Sequence, residues 1–376
     1  MESVLAFFQN EFWIEFVITA IKIVLVFTVC AQIPPFMVWF ERRAPAYMQR
    51  RKGPNRVGLF GFRLFGLIQP LADTIKLIFK EEVVPTGAHK VFYHLAPVFS
   101  LFTSLLVAAA IPFGPPIEIF GRTITLSVVN LDVGFLFIFA LSSLGVYGVT
   151  LAGYASNNKY SLMGALRASA QMISYEIPLG LSLIPIVIIF GTLDLNTIVL
   201  GQESILSWGI FKAPVSFFLF VIAMFAETNR APFDLAESEA ELVAGFHTEY
   251  NSFKFSLFYF GEYVSMFVLS CLASICFFGG WQTGFINQEQ LTTIFNGIVP
   301  ALPLIGQVGQ ILAVLVGVLM TFIKASFFMW LFVWVRWTLP RFRYDQLMNL
   351  GWKFMMPIGL ANILITAIIL GAASFK

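Results

Sequence analysis

Long apolar segments constrain this chain more than any other feature of its sequence. A helix that crosses a bilayer needs about 20 mostly apolar residues, and the sequence contains eight segments that meet or approach this length. They cover residues 13–40, 93–112, 133–152, 166–190, 213–227, 254–278, 309–335 and 354–372. The alternating pattern of a transmembrane β-barrel is absent. The sequence therefore predicts an all-α, polytopic membrane helix bundle, with residues 1–376 forming a single integral membrane domain.

The composition excludes an ordinary soluble fold. Hydrophobic residues make up 58% of the chain and charged residues only 12%, which is too little polar surface to cover a globular core. The first apolar run is about twice as long as a signal-peptide core and has no small-residue cleavage pattern, so we expect it to be retained. We expect a lipid environment and no nucleic-acid partner.

The distribution of basic residues predicts the orientation of the bundle. Of the chain's 23 Lys and Arg residues, 18 fall in four loops, at 41–92, 153–167, 228–254 and 336–353. The loops on the opposite side contain only Arg122 and Lys212. The positive-inside rule places the basic set in the cytoplasm and both termini outside.

The basic loop 41–92 contains a predicted interfacial helix at residues 63–80. Its apolar side chains recur at helical spacing and share one face, while its charged side chains lie elsewhere, which is typical of a helix lying in the membrane surface. Pro70 is expected to kink this helix, and Pro34 and Pro35 are expected to bend the first span near its end.

A polar stretch at residues 227–250 separates two apolar runs and carries six of the chain's 21 acidic residues against one base, Arg230. These acids are Glu227, Asp234, Glu237, Glu239, Glu241 and Glu249. Carboxylates crowded beside a membrane repel one another, so some should hold protons near neutral pH or be neutralised by a partner's cations. The acidic stretch 227–250 is therefore a candidate proton-handling site. The alternative is a solvated loop on the membrane surface.

Ionisable residues also occur inside the predicted spans, where charge is costly and usually faces a wet interior. Glu176, Glu262 and Lys324 are the clearest examples, and several on one chain favour a polar path over isolated ion pairs. The sequence has no nucleotide-binding or metalloprotease motif, and its three histidines lack a ligand-like arrangement. We therefore expect no metal or redox cofactor on this chain.

A series of short motifs resembles one known family, the membrane subunit designated 1 or H in the proton-pumping NADH:quinone oxidoreductase, respiratory complex I. The motifs occur in the family's order along the chain. They are Glu41-Arg42-Arg43, residues 51–58 (RKGPNRVG), Leu71-Ala72-Asp73 with Lys76 and the Lys80-Glu81 pair, residues 156–161 (SNNKYS), residues 165–168 (ALRA), Ser174-Tyr175-Glu176, residues 226–234 (AETNRAPFD) and residues 343–346 (RYDQ).

The resemblance implies a quinone chamber and a coupling function. The first span, the interfacial helix and the sixth span would frame a portal from the lipid. Electrons from NADH would arrive through FMN and iron–sulfur clusters on partner subunits, and the partners would be other membrane-arm subunits and the soluble subunits of the quinone module. By position, the resemblance assigns quinone binding to Arg42, Arg51 and Asp73, and a proton relay to Glu176, Glu227, Asp234, Glu237, Glu239 and Glu241.

Two other functions are compatible with parts of the sequence. The membrane anchor of a membrane-bound hydrogenase is related but needs no quinone chamber, and residues 51–58 resemble the quinone enzyme more closely. A secondary transporter also uses intramembrane Glu and Lys, but the two halves of this chain show no repeat.

The lack of a targeting segment favours a bacterial plasma membrane over a mitochondrial inner membrane. Between Trp281 and Lys324 the chain is longer than is common in the family it resembles, and residues 281–308 have room for a ninth short helix.

Overall fold

The chain folds into a bundle of helices. The computed structural model describes residues 11–58, 64–119, 122–235, 243–298 and 308–374. In chain order, its helices are α1 (Glu11–Met48), α2 (Gln69–Phe79), α3 (Lys90–Ala108), α4 (Gly134–Ala155), α5 (Lys159–Phe190), α6 (Leu195–Leu200), α7 (Gly209–Lys212), α8 (Pro214–Glu227), α9 (Ser252–Phe277), α10 (Gln288–Ile298), α11 (Val308–Thr338), α12 (Tyr344–Asn349) and α13 (Met356–Ser374). A π-helical turn, Leu350–Met355, joins α12 to α13.

Seven of the described helices are long and apolar enough to cross a membrane, counting α12, the π turn and α13 as one. The others are α1, α3, α4, α5, α9 and α11. The predicted membrane helix bundle is thereby confirmed. Helix α9 is enclosed on nearly all sides, whereas few side chains of α1 and α13 are buried.

The fifth apolar segment, α8, has only 14 residues. At 1.5 Å per residue it extends about 21 Å, which is less than the roughly 30 Å of a bilayer's hydrocarbon core. It ends at Glu227, and the chain continues within the bundle, because every residue from Glu227 to Leu235 is buried. The first third of the acidic stretch is therefore not a solvated loop.

The interfacial helix is shorter than its sequence pattern predicts. Helix α2 starts at Gln69, after a short 3-10 turn at Leu64–Gly66, so Pro70 lies in the first turn and does not kink the helix. Proline is well tolerated there because the first-turn N–H groups have no partner inside the helix. Gly66 has a φ of +82°, and a Cβ at this position would lie 2.0 Å from the Pro54 carbonyl oxygen, so the preceding turn requires glycine.

The regions outside the long spans are small. Helix α10 lies where the sequence left room for a ninth helix. Strand β1 (Ile117–Ile119) pairs with β2 (Arg122–Ile124) in an antiparallel hairpin between α3 and α4. Helix α1 is longer than the predicted 13–40 and contains Pro34, Pro35 and Pro45 within its length.

The loops meet at the two ends of the bundle. At one end, the His89 N–H donates to the Ala155 carbonyl at 2.9 Å, and the Phe342 N–H donates to the Pro232 carbonyl at 3.1 Å. At the other end, the Asn196 amide donates to Asn130 at 2.9 Å. The Asn158 amide donates to Glu249 and joins the first two pairs of loops, so the four loops predicted to be cytoplasmic share one end. The Val83 N–H donates to Asn251 at 3.4 Å, so the acidic stretch ends beside the basic loop.

Candidate functional site

A cavity lies inside the bundle where α3, α4, α5 and α9 meet the end of α8. Its volume is about 80 Å³, which is enough for several water molecules. The polar side chains in its wall are Ser100, Thr103, Ser104, Ser142, Glu227, Thr228, Asn229, Glu262 and Ser265. Hydroxyl and carboxyl groups can each hold a water by hydrogen bonds, so the cavity is suited to hydration.

Glu227 and Asn229 each present an unsatisfied oxygen in this region. Their residues are 8% and 7% exposed. Within the described part of the chain, Oε2 of Glu227 and Oδ1 of Asn229 have no hydrogen-bond partner. A buried polar atom without a partner is costly, and a water in the adjoining cavity would satisfy both atoms. The cavity therefore has acceptors that require protons or water.

Glu176 lies on α5 between Met172 and Leu179, which both line the cavity. The Ser143 hydroxyl on α4 donates a hydrogen bond to its Oε1 atom, and its charge acts on Glu227. The structure thus brings together two of the predicted relay residues, Glu176 and Glu227.

A buried ion cluster adjoins the cavity on the side of α1. Arg230 is 5% exposed and lies between two carboxylates. Its Nη1 is 3.4 Å from Oε1 of Glu41, and its Nη2 is 3.6 Å from Oε2 of Glu262. Because Glu262 also lines the cavity, Arg230 links the carboxylate of α1 to the cavity wall.

Tyr263 and Arg336 complete this cluster around Glu41. The Tyr263 hydroxyl donates to Oε2 of Glu41 at 2.8 Å, and Arg336 donates to the same oxygen at 2.8 Å. The Arg230 guanidinium lies over the Tyr263 ring, 4.4 Å from its centroid, a cation–π contact. Sequence reasoning assigned no function to Glu41, Tyr263 or Arg336. The only available signal was an acid followed by two arginines at the end of a span.

The remaining predicted relay residues are distributed differently. Asp234 is buried, and Arg341 pairs with it at 3.1 Å. This anchors the acidic stretch to the loop after α11. Glu237, Glu239 and Glu241 lie outside the described residues.

Two of the three predicted quinone-site residues form a pair. Nη1 of Arg42 on α1 is 2.5 Å from Oδ2 of Asp73 on α2, so this ion pair ties the interfacial helix to the first span. Arg51 is exposed and donates to Gln49 at 2.7 Å, a local contact within the same turn.

Lys324, in contrast, contacts backbone carbonyl groups rather than the carboxyl groups of the cavity. Its ammonium donates to the carbonyl oxygens of Phe278, Gly280 and Gln282 at 2.6–2.8 Å. These carbonyls belong to the chain that follows α9. Lys324 therefore ties α11 to the loop after α9. No group of three His, Cys, Asp or Glu side chains suited to a metal ion occurs among the described residues.

Comparison with known proteins gives a consistent result. The family described as NADH dehydrogenase matches residues 21–367. The chain is 46% identical over 357 residues to the H subunit (form 1) of the NADH-quinone oxidoreductase of Cytophaga hutchinsonii, an alignment that covers 95% of this chain and 98% of the relative. It is 45% identical over 385 residues to the H subunit of the same enzyme from Bdellovibrio bacteriovorus, with 96% and 98% covered. It is 46% identical over 362 residues to the H subunit (form 2) of the enzyme from Geobacter sulfurreducens, with 96% and 99% covered.

Proposed function

The chain belongs to the NADH dehydrogenase family that includes the H subunit of NADH-quinone oxidoreductase, and on that premise we propose that it couples quinone reduction to proton translocation. It is a multi-pass membrane subunit of an oxidoreductase complex. In this function the chain would contain a quinone portal and a proton relay. Its partners would be other membrane-arm subunits and the soluble subunits that carry FMN and iron–sulfur clusters. The bacterial sources of the relatives favour a bacterial plasma membrane.

One observation carries the proposal: two carboxyl groups, one of them buried, line a cavity that has room for water. Glu227 and Glu262 line this cavity, and Glu176 lies on α5 between two residues that also line it. A proton can move between such groups through a short water chain, because each carboxyl both accepts and donates in its protonated form. The positive charge of Arg230 would stabilise the Glu262 carboxylate after Glu262 releases its proton.

The portal is proposed at the side of α1, α2 and α9. The Arg42–Asp73 ion pair holds α2 against α1, while Leu71, Ile75 and Ile78 of α2 remain exposed. An apolar quinone tail can approach such a surface from the lipid, because both are apolar. The buried cluster of Glu41, Arg230 and Arg336 would lie between this portal and the cavity.

The experiment replaces Glu176 in the assembled complex. Glu176→Gln keeps the side chain's size and can accept the Ser143 hydrogen bond, but it cannot release a proton. We expect the rate of inhibitor-sensitive quinone reduction in vesicles to fall about 10-fold or more, which corresponds to a loss of at least ~1.4 kcal/mol of barrier lowering, and the membrane potential to fall with it. Glu176→Asp should retain part of both.

The control is Glu203→Gln, which changes an exposed carboxyl at the opposite end of the bundle. It should leave both activities unchanged. Near-normal pumping by the Glu176→Gln complex, normalised to the amount assembled, would exclude Glu176 as an obligatory proton carrier.

A further inference from the structure

Just after the acidic stretch, Ser252 caps the interfacial helix. Oγ of Ser252 lies 2.8 Å from the Leu77 carbonyl oxygen and 2.9 Å from the Lys80 carbonyl oxygen. Both carbonyls belong to the C-terminal end of α2, where the helix supplies no N–H partner. Ser252, the first residue of α9, thus provides the hydroxyl that closes α2.

Neighbouring contacts reinforce this junction. The Val83 N–H donates to Oδ1 of Asn251 at 3.4 Å. The Lys254 ammonium pairs with the Glu82 carboxylate and lies 4.7 Å from the centroid of the Tyr93 ring. Ser252 and Lys254 are buried at this junction, so solvent competes little with their contacts. We refer to Asn251, Ser252 and Lys254 as the α2–α9 clamp.

The backbone at the clamp is held in an unusual conformation. Ser252 has a φ of +55°, in the left-handed region that is unfavourable for residues with a Cβ. Such a conformation persists only where surrounding contacts impose it. The contacts of Ser252 with α2 are of this kind, and they fix the direction in which the acidic stretch enters α9.

The clamp connects the helix beside the proposed quinone portal to a helix that lines the cavity of the proposed proton relay. The Arg42–Asp73 pair ties α2 to α1, and the clamp ties the other end of α2 to α9. Glu262 lies ten residues after Ser252 on α9, roughly 15 Å along the helix axis. If α2 moves, its contacts with the clamp would move α9 and with it the Glu262 carboxylate in the cavity wall.

We propose that the α2–α9 clamp transmits the position of the interfacial helix to the acidic stretch and to Glu262, so that an apolar ligand entering beside α2 changes the geometry of the buried carboxylates. Asn251, Ser252 and Lys254 are positioning residues in this scheme. The inference rests on the proposed function, since it names the connection between the portal and the relay.

The test removes the Ser252 hydroxyl in the full complex. In vesicles, Ser252→Ala should roughly halve the number of protons pumped per quinone reduced, while the rate of quinone reduction measured with an uncoupler stays near that of the unaltered complex. Ser252→Gly provides a second variant, because glycine adopts a φ of +55° without strain and preserves the fold if the alanine variant assembles poorly. It should lower the same ratio.

Ser256→Ala is the matched control. Ser256 lies one turn further along α9, is only partly buried, and donates to the Phe253 carbonyl of its own helix. It should pump normally. The Lys254–Glu82 pair offers an independent test: Lys254→Met should lower the ratio as Ser252→Ala does.

Two results would overturn the clamp. One is an unchanged ratio of protons to quinone in both Ser252 variants. The other is a parallel decrease of quinone reduction and pumping at constant ratio, which a purely structural contact would produce. If the unaltered complex showed no quinone-dependent pumping, the proposed function itself would fail, and this outcome is distinct from the other two.

Discussion

At the scale of single residues, Glu41 bears the densest set of buried charge contacts in the described structure. It accepts hydrogen bonds from Tyr263, Arg230 and Arg336, and it is 8% exposed. Charges removed from water are stable only when partners offset the lost hydration. Glu41 therefore balances two arginines that would otherwise face each other across the end of α1.

Glu41→Gln removes the anion that Arg230 and Arg336 share. Arg230 keeps its contact with Glu262 and Arg336 is partly exposed, so we expect a loss of stability of about 3 kcal/mol, at the lower end of what removing one partner of a buried pair costs. The measurement is the thermal stability and the amount of assembled complex. Glu118→Gln, in an exposed strand, is the control and should behave like the unaltered chain. Equal stability of both variants would show that Glu41 does not carry a charge that the arginines need.

At the scale of elements, close approach of backbones fixes where the acidic stretch ends. A Cβ at Gly164 of α5 would lie 2.5 Å from Cα of Gly245, in the 3-10 turn Gly245–His247. Helix α5 and this turn can pack this closely only because residue 164 has no side chain. The turn then leads directly to the α2–α9 clamp.

Gly164→Ala should therefore displace the turn. The helix gains up to about 1 kcal/mol in propensity, but overlap with backbone atoms outweighs this gain, and we expect reduced assembly and impaired quinone reduction. Gly180 lies in the same helix, and a Cβ there would meet no atom within 4 Å. Gly180→Ala should be neutral or slightly stabilising. Equal assembly and activity of the two variants would mean that α5 does not hold the turn.

At the scale of the whole molecule, the loops segregate to two ends of the bundle. The end that contains the acidic stretch also contains most of the basic residues, and the positive-inside rule places it in the cytoplasm. Soluble partners would approach the chain at that end.

Thiol labelling on intact cells tests this orientation. Thr86 is exposed at the basic end and Ser204 at the opposite end. An impermeant reagent should label Ser204→Cys and leave Thr86→Cys unlabelled. The three native cysteines, Cys30, Cys271 and Cys276, are buried and give little background. Labelling of Thr86→Cys from outside would reverse the orientation and remove the acidic stretch from the cytoplasmic side.

The sequence by itself determined the class of fold and the approximate position of every span. The length of an apolar run is a local property, and the thickness of the bilayer sets how long a spanning helix must be. All eight predicted segments accordingly form helices. It also identified the family, because short motifs in a fixed order need no knowledge of contacts. Intramembrane Glu176 and Glu262 were found for the same reason, since a charge in an apolar run is visible without any partner.

The tertiary structure alone decided which charges meet. Arg230 contacts Glu41, 189 residues away in the chain, and Arg336 contacts the same carboxylate from 295 residues away. No local pattern encodes such pairs, because they arise where separate helices pack. The burial of residues 227–235 could not be predicted either. A polar sequence beside a membrane has the same composition whether it forms a solvated loop or is enclosed by the bundle. The same holds for the α2–α9 clamp: Ser252 is an ordinary serine in the sequence, and only the folded chain brings its hydroxyl to the end of α2.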